Sequence, residues 1–243
     1  MSRLTKINRY PTDEEAKKLL VEIGRRMYMK NFVAGNDGNI SCKVDNDTIW
    51  TTPTGVSKGF MSEDMMVKMR TDGTIISRGE RLPSSEVKMH LRIYNERDDV
   101  TAVCHAHPPV STSFAIAGLS LSRAIYSAAI LNPGIVPCVR YETPGSNQLP
   151  ESVAPYVRNY NAVLLANHGA VTWGASLTEA WYRLEAVEHY ATVTMYSMNV
   201  IGKANSLSRD QVNELIQIRE KLGITSGGVP FGVDNPANLT DVI

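Results

Sequence analysis

Two short apolar runs in this chain each end in histidine. Ala102-Val103-Cys104-His105-Ala106-His107 carries two imidazoles one residue apart, and Ala162-Val163-Leu164-Leu165-Ala166-Asn167-His168 carries a third. Residues i and i+2 of a strand share a face, so His105 and His107 leave together while Cys104 points the opposite way. If the second run is a strand whose end lies alongside, His168 reaches the same place. The three rings then make three corners of a tetrahedron, and catalytic zinc characteristically has three protein ligands and an open fourth position. A single such histidine would be an ordinary strand-end residue. An H-x-H pair combined with Asn167-His168-Gly169 points instead to a metal-dependent enzyme.

The rest of the chain supplies elements for an α/β fold. Thr12-Asp13-Glu14-Glu15 reads as a capping box opening a helix with Leu19, Leu20, Ile23 and Met27 inward. Asn36-Asp37-Gly38-Asn39 is a turn, followed by strands Ile40 to Val44 and Thr48 to Thr52 joined at Asp45-Asn46-Asp47. A second hairpin runs from Met66 to Arg70 and from Thr74 to Ser77. Pro83-Ser84-Ser85-Glu86 starts a helix to about Arg97, with Val87, Leu91 and Tyr94 on its buried side. A strand from Val100 to His105 and a small-residue helix from Val110 to Ala117 come next. Ser176-Leu177-Thr178-Glu179, a second capping box, and Ser208-Arg209-Asp210-Gln211 open two more helices, to about Val200 and Gly223. Hairpins mixed with helices imply a three-layer domain over 1–243: a largely antiparallel central sheet with helices on both faces. The Gly-, Pro- and Asn-rich stretch 225–243 is expected to be mobile or to wrap around a neighbour.

Glu86 lies at a helix start, where a carboxylate is favoured by the helix dipole, so its place alone needs no catalytic explanation. Ser84 and Ser85 put hydroxyls and free backbone N–H groups at the same point, a natural anion site. Thr52-Pro53-Thr54-Gly55 follows a strand and suits a phosphate nest, and Asn39 can add an amide donor. Each is explicable as turn chemistry; together, beside a metal site, they suggest a phosphorylated substrate. His90 reads as a packing or hydrogen-bonding residue, and His189, near Glu185 and Glu188, as a surface or interface group. Arg123 and Arg140 read as surface residues with a possible reach to phosphate.

In their order, Gly38-Asn39-Ile40-Ser41, Thr52-Pro53-Thr54-Gly55, Pro83-Ser84-Ser85-Glu86, His105-x-His107 and Asn167-His168-Gly169 resemble the motifs of the class II aldolase/adducin-head family, over roughly residues 12 to 200. Within it the L-fuculose-1-phosphate aldolase branch is the most similar. The resemblance implies one zinc ion per subunit on His105, His107 and His168, with Glu86 transferring protons. It implies a phosphate pocket of Asn39, Thr54, Gly55, Ser84 and Ser85. It also implies a homotetramer with active sites at subunit interfaces, where Tyr126 reaches the adjacent site. The reaction implied is reversible cleavage of a ketose 1-phosphate into dihydroxyacetone phosphate and a short aldehyde such as lactaldehyde. The family's aromatic near Pro144 is missing and the 225–243 stretch holds Phe231 but no tyrosine, so the aldehyde pocket departs from the pattern. The same scaffold serves pentulose-5-phosphate epimerases and methylthioribulose-1-phosphate dehydratases, which place an acidic residue downstream of the H-x-H. No Asp or Glu occurs between Val110 and Tyr141, which favours carbon–carbon cleavage. A non-catalytic adducin-like module would have no use for the combined ligands, base and phosphate loops.

Composition narrows the partners. Lys+Arg and Asp+Glu balance at 25 each, which argues against nucleic acid, since such partners select a basic face. The 243-residue chain has neither a signal-peptide pattern nor a run long enough to span a membrane. Three scattered cysteines, Cys42, Cys104 and Cys138, read as reduced thiols rather than a disulfide framework. A cytoplasmic enzyme is expected.

Overall fold

The computed structural model describes residues 10–230. Helix α1 (Asp13–Met29) begins where Thr12 and Glu15 cap each other: the Glu15 N–H donates to Thr12 Oγ1 at 3.2 Å and the Thr12 N–H to Glu15 Oε2 at 2.8 Å. Leu20, Ile23 and Met27 are buried and Leu19 only partly. Strands β1 (Asn39–Lys43), β2 (Thr48–Thr51), β3 (Val67–Arg70) and β4 (Ile75–Ser77) form the two hairpins expected from the turn residues, paired antiparallel throughout. Then follow α2 (Val87–Glu96), β5 (Ala102–Ala106), α3 (Pro109–Ile116), α4 (Ser127–Leu131), β6 (Cys138–Val139), α5 (Gln148–Val157), β7 (Ala162–Leu165), β8 (Gly169–Gly174), α6 (Leu177–Met195) and α7 (Arg209–Lys221).

The eight strands form one sheet in the order β4-β3-β2-β1-β5-β8-β7-β6, antiparallel except for the β6–β7 pair. Alternation along β5 divides the core. Ala102, Cys104 and Ala106 face a cluster with residues of α1, α3 and α6, while Val103 faces one with residues of α2 and α5. Helices thus cover both faces, as the three-layer reading requires, and His105 belongs to the α2 side of the sheet.

Several details differ from the sequence reading. On α2 the buried residues are Val87, Met89, His90, Ile93 and Tyr94, with Leu91 only half-buried, because the helix is gripped between the sheet and α5. Ser176 caps α6, but Glu179 does not complete the box: its Oε2 accepts the Ala175 N–H at 2.6 Å, one residue earlier. The end of α6 widens to a π-helical turn over Tyr196–Val200. Within the stretch that begins at Thr225, residues 226–228 are bonded to the body. Ile135 N–H donates to the Gly227 carbonyl, Gly227 and Gly228 N–H groups to the Asn159 carbonyl, and the Arg219 guanidinium to the Ser226 and Gly228 carbonyls. These backbone and charge-assisted bonds pin 226–228 to the body. The rest of the expected tail, from Phe231, lies outside the described residues.

Candidate metal and acid–base site

Sheet register assembles the site. His105 on β5 pairs with Asn39 on β1 to one side and with Val171 on β8 to the other. His107 lies one residue past β5, where its N–H donates to the Phe32 carbonyl at 2.9 Å. The β7–β8 hairpin closes through Ala166-Asn167-His168. Asn167 takes the left-handed conformation (φ 57°), which asparagine tolerates better than most residues. A Cβ on Gly169 would stand 2.6 Å from the Ala106 carbonyl oxygen and from His107 Cδ2. Asn-His-Gly is therefore a packing requirement: only a glycine lets the His168 turn lie against the His107 strand end.

The three rings meet. Ring centroids are 4.7–5.0 Å apart in every pair, and one nitrogen from each falls within 4.8 Å of the others. Outer contacts set the tautomers. His105 Nδ1–H donates to the Ala170 carbonyl at 2.9 Å and His107 Nδ1–H to Asp37 Oδ2 at 3.2 Å. With both rings neutral, the Nε2 lone pairs face each other across 3.2 Å. Such an arrangement is repulsive unless a cation lies between, and zinc-bound nitrogens at about 2.0–2.1 Å in a tetrahedron are about 3.3–3.4 Å apart. The donor set fits a divalent metal. His105 is fully buried, while His107 at 24% side-chain exposure opens the cluster outward.

Glu86 completes the group from the α2 side. It stands at the N-cap position of α2, with Oε2 3.4 Å from His105 Nε2 and Oε1 3.3 Å from His168 Nε2. Asn39 Nδ2 donates to Oε2 at 2.9 Å. Burial opposes its ionisation, but positive charge at His105, the hydrogen bond to that ring, His168 and the Asn39 amide prevail and hold its carboxyl far below the usual range. Burial likewise works against a charge on His105, and the Glu86 carboxylate outweighs it, raising that pKa. For His107 and His168 burial wins, helped by the charge at His105; both are lowered, His168 to about 3. Neutral imidazoles are what metal ligation needs.

The phosphate candidates lie next to this group. A bridge between Pro53 and Pro83, with Thr54 N–H donating to Leu82 O at 2.9 Å and Ser84 N–H to Thr52 O at 3.4 Å, sets the Thr54-Gly55 loop against Ser84-Ser85. Thr52 in turn bonds to Ile40, the neighbour of Asn39. Thr54, Gly55 and Ser85 remain exposed. Tyr126 is elsewhere. It precedes α4, half-buried, with its ring edge-on to His189 of α6 at 5.6 Å. His189 and Arg123 are exposed, and exposed Arg140 pairs with Glu142. His90 is fully buried and its Nδ1 bonds Ser41 Oγ at 2.8 Å, which also contacts Tyr94. A groove of about 740 Å³ runs from Ser84 and Ser85 along α2 past Lys88 and Leu91, and none of the three histidines lines it.

Sequence reasoning missed Asp37, hidden in a turn that explains an aspartate by itself. It also missed Glu188, whose two carboxylate oxygens accept the Val110 and Ser111 N–H groups at 2.9 and 2.7 Å and so cap α3 just beyond His107.

The profile of the class II aldolase and adducin N-terminal domain family matches residues 18–195. The chain belongs to this family. It is 34% identical over 184 residues to an L-fuculose phosphate aldolase of Methanocaldococcus jannaschii, covering 76% of this chain and 98% of that one. A 5-deoxy-D-ribulose 1-phosphate aldolase of Bacillus thuringiensis is 31% identical, covering 86% and 98%. A 3-oxo-tetronate 4-phosphate decarboxylase of Pectobacterium atrosepticum is also 31% identical, covering 84% and 94%. A solved L-fuculose 1-phosphate aldolase superposes with a TM-score of 0.78 at 29% identity, covering 88% of this chain and 99% of that one. This class II aldolase-family chain is thus an enzyme of the lyase class, and the histidine trio is its candidate metal centre. Among the described residues no helix is long and apolar enough to cross a membrane.

Proposed function

We propose that the chain is a zinc-dependent aldolase that reversibly cleaves a ketose 1-phosphate, such as L-fuculose 1-phosphate, into dihydroxyacetone phosphate and a short aldehyde such as lactaldehyde. The observation that carries this reading is the convergence of Glu86 with three imidazoles beside an exposed phosphate-type loop. His105, His107 and His168 would hold the zinc. When bound, it supplies Lewis acidity toward the substrate's carbonyl and neighbouring hydroxyl oxygens and offsets the charge left by bond cleavage, worth several kcal/mol.

The remaining roles fall to side chains and backbone. Thr54, Ser84 and Ser85 offer hydroxyls, and Gly55 and Ser85 N–H groups, to the phosphate, fixing which carbon faces Glu86. In synthesis Glu86 removes the proton from the carbon that becomes the nucleophile; in cleavage it returns that proton. Asn39 holds Oε2 so that the carboxylate arrives in one orientation. Tyr126 handles the hydroxyl proton of the aldehyde half, from a neighbouring subunit of a homotetramer. The relatives' sugar-phosphate chemistry and the three free cysteines support a cytoplasmic setting.

A second reading has a specific basis in the decarboxylase relative. Loss of carbon dioxide from a 3-oxo-tetronate 4-phosphate leaves the same three-carbon phosphate, so the two reactions differ only in the departing fragment. Release of dihydroxyacetone phosphate, coupled to NADH oxidation, should be measured over a panel of ketose 1-phosphates and 3-oxo-tetronate 4-phosphates, with and without chelator. Chelator-sensitive release from a ketose phosphate, with the aldehyde recovered, is expected. Carbon dioxide as the sole co-product would select decarboxylation, and release indifferent to complete metal removal would sink both readings.

A further inference from the structure

Every side chain in the proposed phosphate cradle is neutral: Asn39, Thr54, Ser84 and Ser85. A phosphate monoester brings nearly two negative charges at neutral pH. Arg81 and Lys88, three residues from Ser84 and Ser85, are exposed, whereas Lys58, three residues beyond Gly55, is 1% exposed. Lysine is seldom this deeply buried without a carboxylate partner, and among the described residues Lys58 makes no ion pair. Instead Nζ donates to the Val56 carbonyl at 2.8 Å and to the Asn36 carbonyl at 3.1 Å. Val56 directly follows Gly55, and Asn36 begins the turn that leads through Asp37 to Asn39. The ammonium therefore sits behind both loops that face the cradle. Its seat is tight: a Cβ on Gly24 of α1 would lie 2.9 Å from the Lys58 carbonyl oxygen, so the glycine is what lets this turn approach the helix.

We propose that Lys58 is the cationic element of the phosphate pocket, a positioning residue that holds the Val56 and Asn36 carbonyls behind the two loops and whose buried charge favours a bound dianion. The inference rests on the cradle reading above. It explains why so poorly solvated an ammonium is kept where two carbonyls alone would be served by a neutral donor. The charge itself acts over a short, poorly screened path.

Charge and clamp can be separated. A neutral amine keeps two N–H donors and can still hold both carbonyls, but it offers no field. Burial lowers the Lys58 pKa to about 8, against the opposing influence of Asp37. Asp37, from the turn before β1, is the charged group acting on it. From α1 it meets Gly24, whose neighbour Arg25 is exposed, and the Tyr28 ring packs on Gly59 and Phe60 instead. The 53–57 loop carries no titratable side chain. Because protonated Lys58 favours the anion, affinity falls as pH rises through about 8, an interval where a phosphate monoester is already fully ionised.

The test is calorimetric binding of glycerol 1-phosphate, which has no carbonyl, to the purified metal-containing protein between pH 7 and 9. Wild-type affinity should fall on the order of ten-fold across this range. Lys58→Met should lose a similar factor at pH 7, keep its metal content and show a flat profile. Wild-type affinity unchanged at pH 9, or a Met variant that binds as tightly as wild type, overturns the proposal; the wild-type profile decides even if the variant fails to fold. If Thr54→Ala and Ser84→Ala leave binding intact, the cradle reading itself fails and the Lys58 inference falls with it. Weakening by those two changes with no effect of Lys58 or pH refutes only the inference.

Discussion

A carboxylate 3.3–3.4 Å from two ring nitrogens and fixed by an amide has two possible uses, ligand or base. Substitution can tell them apart. Gln at position 86 can still accept the Asn39 amide and fits the same space, but it cannot carry a proton to carbon. If Glu86 is the base, Glu86→Gln keeps its zinc by elemental analysis and loses on the order of 10²–10⁴ in turnover. Near-normal cleavage by this variant would remove Glu86 from the mechanism. At this scale the histidines were legible because period-two geometry alone puts His105 and His107 on one face. Asp37 and Lys58 were not, because each type has a commonplace surface explanation. Only the fold reveals that Asp37 Oδ2 receives His107 Nδ1–H and that Lys58 is sealed under α1. Carboxylates behind ligating histidines commonly change metal affinity 10–100-fold when lost, so an invisible residue here is not a minor one.

Among the elements, those with strong local signals were readable: capped helices α1, α6 and α7, the two hairpins, and β5 with its histidines. Others lacked any such signal. α5 carries Pro150 and Pro155, the latter inside the helix, and proline argues against helix in a sequence. β6 is two residues long, α4 five, and β8 is buried on both faces, so it shows no alternation. Their existence is decided by tertiary packing. The link between α6 and α3 is of the same kind, since Glu188 caps a helix 78 residues away in sequence. Val110 and Ser111 N–H groups have no acceptor within their own helix at that end, and α3 begins directly after the His107-Pro108 turn. Glu188→Ala should lower unfolding free energy by about 1–2 kcal/mol and weaken metal retention, with Glu188→Gln losing less. Denaturant titration alongside zinc affinity checks this. Stability and metal affinity both unchanged in the Ala variant would show that the cap does not support the site.

For the whole molecule, the sheet gathers Asn39 of β1, the histidines at the end of β5 and His168 of the β7–β8 turn, while the Tyr126 ring lies on His189 of α6. The same flank is built by late parts of the chain. The Leu207 N–H donates to the Ala124 carbonyl, α7 packs on α4 through Val212 and Ile130, and Arg219 ties Ile130 to the docked 226–228 segment. If Tyr126 serves cleavage as proposed, its place on this flank, against His189, suits a site completed by another subunit, which a cyclic tetramer with head-to-tail interfaces would allow. Complementation makes the idea testable. Glu86→Gln and Tyr126→Phe tetramers should each be nearly inactive. Subunits of the two, co-expressed in equal amounts and purified as mixed tetramers, should regain about a quarter of wild-type activity, since random neighbours in a cyclic assembly pair one intact Glu86 with one intact Tyr126 at that frequency. If Tyr126 serves its own subunit, every mixed site lacks one group and no activity returns. Mixed tetramers as inactive as their parents would therefore confine the chemistry to single chains and rule out the shared site.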